Sequence, residues 1–186
     1  MRLTGRSALA AVAASVGDAL RRHGIRAVLT GGACASLYTK GTYHSVDVDF
    51  ILVGPATQRA LDAAMASVGF TRQGDRYVHP RARFYVEFPR GPLAIGDDYR
   101  IDPVERRTRH GRFMALSATD SCRDRLAAFY HWNDRQSLEV AVGIALQNRV
   151  RLTAVKRWSV GEGFGTRFAE FAAELKQARS GKPGLP

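Results

Sequence analysis

The chain opens with an Ala-rich stretch, Arg2 to Val16, whose pattern continues at helical spacing through Gly17-Asp18-Ala19-Leu20-Arg21-Arg22. A first amphipathic helix is therefore predicted, not a signal peptide. Gly24 stops it, and the apolar run Ile25 to Thr30 predicts a strand. Gly31-Gly32 then leads into a short helix through Leu37, followed by a polar loop from Thr39 to Ser45. The next run, Val46-Asp47-Val48-Asp49-Phe50-Ile51-Leu52-Val53, alternates as a strand should, and its dense β-branched and apolar content predicts a central position in a sheet.

Gly54-Pro55 breaks that strand, and Leu61, Ala64, Met65 and Val68 recur at helical intervals until Gly69. Residues 70–79 predict a hairpin around Gln73-Gly74-Asp75, leading to the alternating run Arg83-Phe84-Tyr85-Val86-Glu87-Phe88. Phe84, Val86 and Phe88 share one face, so Tyr85 and Glu87 share the other. Asp97-Asp98, after Ile95-Gly96, predicts the end of a further strand. From about Leu116 the pattern turns helical. Thr119 or Asp120 is expected to cap, Leu126, Phe129 and Tyr130 form an apolar stripe, and Trp132-Asn133-Asp134 interrupts before Leu138 to Leu146 resumes. Phe164, Phe168, Phe171 and Leu175 predict a last amphipathic helix, its phenylalanines core packing instead of a base-stacking platform, ahead of a Ser-Gly-Lys-Pro-Gly tail expected to be disordered.

At 186 residues the chain can bury one good core with a helical appendage. The division expected is a catalytic core over residues 1–112 and a helical subdomain over 113–186. Net charge is +11, from 28 Lys plus Arg against 17 Asp plus Glu, which favours a polyanionic partner. Cys34 and Cys122 are the only cysteines, and neither has a second Cys or a His at metal-ligand spacing, so a disulfide framework and a zinc site are not expected. A cytoplasmic location is expected. No segment approaches membrane-spanning length, and no membrane partner is expected.

The chemistry concentrates in Gly31-Gly32 and Ser45-x-Asp47-x-Asp49-Phe50. On a strand the two carboxylates project from one face, roughly 6.5 Å apart along the backbone. Two like charges there need a cation to offset them. If the later strand neighbours this one, Glu87 reaches the same cations as Asp47 and Asp49. The glycine pair stands at a strand-turn-helix junction, where backbone N–H groups can approach phosphate without a Cβ in the way.

These residues, with the later Asp124-Arg125-Leu126-Ala-Ala-Phe and Asp134-Arg135, resemble the minimal nucleotidyltransferases of the DNA polymerase β-like superfamily, within it the AbiEii-like group of toxin-antitoxin and defence systems. The resemblance spans roughly residues 20–150 and implies an α/β (α+β) fold, a mixed and mainly antiparallel sheet flanked by helices with a small C-terminal helical subdomain. It implies two Mg²⁺ ions held by Asp47, Asp49 and Glu87, and an NTP whose β and γ phosphates lie on Ser36 and the Gly31-Gly32 backbone. Arg125 stands where the group has a lysine, and Asp134 is the candidate for its acidic residue facing the nucleotide. Arginine offers a planar fork and does not deprotonate, so Arg125 would clamp phosphate without moving a proton. The acceptor expected is RNA, such as a tRNA end, and a cognate toxin or antitoxin protein is the expected protein partner. The alternatives are an aminoglycoside-like small molecule as acceptor, or an idle fold serving as an interaction module. Residues 151–186 lie outside the resemblance. Lys156, Arg157, Trp158 and Arg167 there are candidates to line a nucleic-acid path, with anchoring to the core the alternative for Trp158.

Overall fold

In a computed structural model, residues 3–181 are described, and they form seven helices and a seven-stranded sheet. Residues 182–186, most of the predicted disordered tail, lie outside the described residues. The chain divides into two compact units, each discontinuous in sequence. One comprises Met1–Cys34, His44–Leu93 and Asp102–Leu116, the other Ala35–Tyr43, Ala94–Ile101 and Ser117–Pro186. The expected boundary at 112/113 is corrected on this point: it would cut a strand, Gly111–Ala115, that belongs to the sheet.

The first unit holds the whole sheet. Helix α1 (Leu9–Arg22) starts later than the Ala-rich stretch predicts and buries Val12, Val16, Ala19 and Leu20. Asp18 accepts from Arg21 at 2.9 Å and Arg22 at 2.7 Å on its solvent side. Strand β1 (Ala27–Leu29) leads into helix α2 (Gly31–Tyr38), and β2 (Asp47–Leu52) follows the polar loop. Helix α3 (Gln58–Ala66) is capped by the Thr57 hydroxyl, which accepts from the Ala60 amide at 3.2 Å. Then come the hairpin β3 (Thr71–Gln73) and β4 (Arg76–Val78), β5 (Tyr85–Glu87), and a second hairpin, β6 (Val104–Thr108) and β7 (Gly111–Ala115).

The strand order is β3-β4-β5-β2-β1-β7-β6, so β2 is central, as its composition predicts. β2 runs parallel to β5 and antiparallel to β1, and β1 runs parallel to β7. The two hairpins and the β4–β5 pair are antiparallel, giving the expected mixed, mainly antiparallel sheet. Val48 and Phe50 of β2, Val86 of β5, Tyr77 of β4 and Phe113 of β7 are buried, and the apolar side of α1 packs on β7 and α3. Gly17 lets α1 lie close on β7: a Cβ at this position would come within 2.4 Å of the Phe113 Cβ. Val46 departs from the predicted apolar face, being 64% exposed just before β2 begins.

The second unit contains helices α4 (Ala118–Trp132), α5 (Arg135–Gln147), α6 (Leu152–Gly161) and α7 (Gly165–Arg179). Leu126, Phe129, Leu138, Ile144, Val155, Phe171 and Leu175 are buried there. The cap of α4 is Ser117, not Thr119 or Asp120. Its hydroxyl accepts from the Asp120 amide at 3.1 Å and donates to Asp120 Oδ2 at 2.7 Å, which satisfies a free helix-terminal N–H and turns Asp120 into the cap's partner. Asp97-Asp98 ends no strand; it sits in a turn closed by the Ile95–Asp98 bridge. From that turn Asp98 accepts from the buried Arg123 at 2.6 Å, the Ile95 carbonyl accepts from Trp158 Nε1 at 3.2 Å, and the Asp97 amide donates to Glu162 at 2.9 Å. Helix α6 is absent from the sequence prediction. It carries Trp158, which stacks on Tyr130 with ring centres 5.7 Å apart, so this residue anchors the unit. Among the described residues no helix is long and apolar enough to cross a membrane.

Candidate functional site

The period-two alternation of β2 puts Val48 and Phe50 into the core and leaves Asp47 and Asp49 half-buried on the opposite face. β5 lies alongside in parallel register, with Asp47 opposite Tyr85 and Asp49 opposite Glu87. Three carboxylates from two adjoining strands thus meet, and one oxygen from each lies within 4.8 Å of the others. The sequence places Glu87 here only on the condition that its strand neighbours β2; the register meets that condition. The Ser45 hydroxyl donates to Asp47 Oδ1 from just before the strand.

Gly31 sits against this cluster. Its φ is +63°, and a Cβ on it would fall 2.6 Å from Asp49 Oδ2. Position 31 therefore disfavours a side chain on two counts, left-handed backbone and the adjacent carboxylate. Gly31 and Gly32 open α2, whose first amides lack intrahelical acceptors. The field of the cluster is felt by Tyr85, on the same face of β5. Burial, and after it the charges of Asp47 and Glu87, hold its hydroxyl above the ordinary tyrosine value, with Arg76 acting in the opposite direction. The Arg76 guanidinium lies 5.2 Å from the Tyr85 ring centre.

Oxygen-only donors at this mutual spacing fit a hard divalent cation such as Mg²⁺, and they do not suit a soft metal. Among the described residues this is the one group of three or more His, Cys, Asp or Glu close enough to hold an ion. Neither thiol competes as a reactive centre: both cysteines are buried, and burial pushes the Cys122 thiol up to about 12.

The remaining predicted residues belong to the second unit, apart from Gly31 and Gly32. Ser36 lies five residues along α2 from Gly31. Arg125 donates to its sequence neighbour Asp124 at 2.7 Å, and the Asp124 charge is the chief influence raising its pKa against the opposing effect of burial. Asp134 stands at the start of α5. It caps α5, accepting from the Ser137 amide at 3.2 Å and the Ser137 hydroxyl at 2.7 Å, and the latter bond is the main reason its carboxyl lies below the usual range. Arg167 is likewise engaged, donating to the Phe129 carbonyl at 2.7 Å and Asn133 Oδ1 at 3.1 Å near the end of α4. Lys156 and Arg157 remain exposed.

Sequence reasoning missed Arg76. The signal lay in the β4–β5 register, where Arg76 stands directly opposite Glu87, and the intervening connection hides that register from the sequence. No protein-family model, curated protein or solved structure matches the chain.

Proposed function

We propose that the chain is a Mg²⁺-dependent nucleotidyltransferase that moves a nucleoside monophosphate from an NTP onto a hydroxyl of RNA. The observation that carries this reading is the meeting of Asp47, Asp49 and Glu87, with oxygens within 4.8 Å of one another on adjacent central strands. Two supporting features are the side-chain-free approach at Gly31 and the resemblance of Gly31-Gly32 and Ser45-x-Asp47-x-Asp49 to the minimal nucleotidyltransferases. In the reaction the acceptor hydroxyl gives up its proton to solvent and its oxygen bonds to the α phosphorus, the bond from that phosphorus to the bridging oxygen breaks, and pyrophosphate leaves with the electron pair. Bound Mg²⁺ would lower the pKa of the acceptor hydroxyl and neutralise charge on the phosphates. Asp47 and Asp49 would hold both ions, Glu87 would complete the acceptor-side ligand set, and the Gly31-Gly32 backbone would face the phosphates. The net charge of +11 supports RNA as the acceptor over a cationic small molecule. A role in a toxin-antitoxin pair is part of the same proposal and rests on the resemblance alone.

The test is incubation of the chain with each α-labelled NTP, Mg²⁺ and total RNA. Label is expected on RNA, lost in Asp47→Asn with the melting temperature preserved. RNA binding is expected to fall steeply between roughly 50 and 200 mM salt through counterion release. Label on an aminoglycoside with salt-insensitive RNA binding would overturn the RNA acceptor. Full transfer by Asp47→Asn, or none by the unaltered chain with any acceptor, would overturn the enzymatic reading.

A further inference from the structure

Arg76 and Tyr85 stand on the carboxylate face of the sheet. Arg76 is opposite Glu87 in the antiparallel β4–β5 pair, and Tyr85 is opposite Asp47 in the parallel β5–β2 pair. Residues directly opposed across a ladder project from the same face, so moving outward from β2 this face presents Asp47 and Asp49, then Tyr85 and Glu87, then Arg76. Gly31 lies on the other flank, following β1 and abutting Asp49. If the phosphates of a donor nucleotide approach along the Gly31 flank, the β5–β4 flank is left for the acceptor, since attacking and leaving oxygens lie on opposite sides of an in-line displacement.

An exposed arginine on a strand commonly guards a sheet edge against unwanted pairing. That does not account for Arg76, because β4 is interior, flanked by β3 and β5. Nor is Arg76 held in a salt bridge with Glu87. Among the described residues neither takes part in an ion pair, and the guanidinium instead lies over the Tyr85 ring. A guanidinium over a ring face can still offer its N–H edges to a phosphate in a bidentate pair.

We infer that Arg76 and Tyr85 form the acceptor edge of the site and determine its specificity: the ring receives the terminal base of a single-stranded RNA and the guanidinium its phosphate. This rests on the nucleotidyltransferase reading for the identity of the flank, but it concerns binding and is tested by binding. A cation on that flank selects an anionic acceptor and repels an aminoglycoside-like one.

The experiment uses the full chain and a 5′-fluorescein-labelled ten-nucleotide RNA with a free 3′-hydroxyl, followed by anisotropy in Mg²⁺. Arg76→Glu and Tyr85→Ala are each expected to weaken binding about fivefold or more, the range set by loss of one base stack or one phosphate contact. Tyr85→Phe, which keeps the ring, is expected to stay within twofold. Mn²⁺ binding, read by electron paramagnetic resonance, and the melting temperature are expected to hold in Arg76→Glu. Because Arg76 is exposed, this variant carries the test even if Tyr85→Ala fails to fold. RNA affinity within twofold of the unaltered chain in Arg76→Glu would overturn the inference, and so would a parallel loss of Mn²⁺ binding, which would make Arg76 a support for the carboxylates only. RNA binding that depends on Arg76 without label transfer would sink the transferase reading and leave the RNA edge standing. Label transfer with RNA affinity indifferent to Arg76 would do the reverse.

Discussion

At the scale of single residues, the sharpest constraint falls on Gly31, where a left-handed backbone coincides with a carboxylate oxygen 2.6 Å from the place a Cβ would take. Gly31→Ala must move either the backbone or Asp49, so we predict a loss of about 1–3 kcal/mol in stability. Mn²⁺ affinity should fall with it, because either movement disturbs Asp49 or the backbone beside it. Urea melts and paramagnetic titration check both, and an alanine variant with unchanged stability and ion binding would show that the contact is relaxed at no cost. The carboxylate cluster was legible in the sequence because strand alternation is a local property: Asp47, Asp49 and Glu87 could each be assigned a face from their neighbours. Arg76 was not, since its place beside Glu87 depends on pairing between separate strands. The α5 cap has a local signal too, since Asp134 and Ser137 stand three residues apart at a helix start.

At the scale of elements, caps and interruptions decide where the helical segments begin. Asp134→Ala should remove both bonds to Ser137 and cost about 1 kcal/mol, with Asp134→Asn costing less because its side-chain oxygen can still accept. The pH dependence has a defined sign. Hydrogen bonding from Ser137 lowers the folded-state pKa of Asp134, so its charged cap contributes stability above the ordinary carboxylate value and loses it as pH falls through the lowered folded value. The stability gap between the unaltered chain and Asp134→Ala should therefore shrink on going from neutral pH into the acid range, and urea melts across that range measure it. A gap that stays constant or widens in acid would contradict the assignment. Elements with a clean period were readable, as with α1, β2 and the β3–β4 hairpin. The β6–β7 hairpin was not, because Arg106, Arg107 and Arg112 leave its strands without a clear apolar alternation. Helix α6 was hidden because only Val155 and Ser159 of its ten residues are buried, too few to mark a face.

At the scale of the whole molecule, the two units interleave in sequence. The chain passes between them at 34/35, 43/44, 93/94, 101/102 and 116/117. A fragment over residues 117–186 would keep all of α4 to α7 yet lack Asp98 beneath Arg123, the Ile95 carbonyl for Trp158 and the Tyr38 carbonyl that takes Asn148 at 2.6 Å. Buried groups left without partners are costly, so this fragment is predicted to melt without a cooperative transition by far-ultraviolet circular dichroism. A sharp transition in the isolated fragment would refute that. The same interleaving fixes a timetable for synthesis. The sheet has all its strands once Leu116 has emerged from the ribosome, but residues 35–43 and 94–101 must then wait for helices not yet translated, Tyr38 for a partner 110 residues downstream. A nascent chain halted after its last strand would carry two stretches open to protease or chaperone, closing only when the final helices arrive.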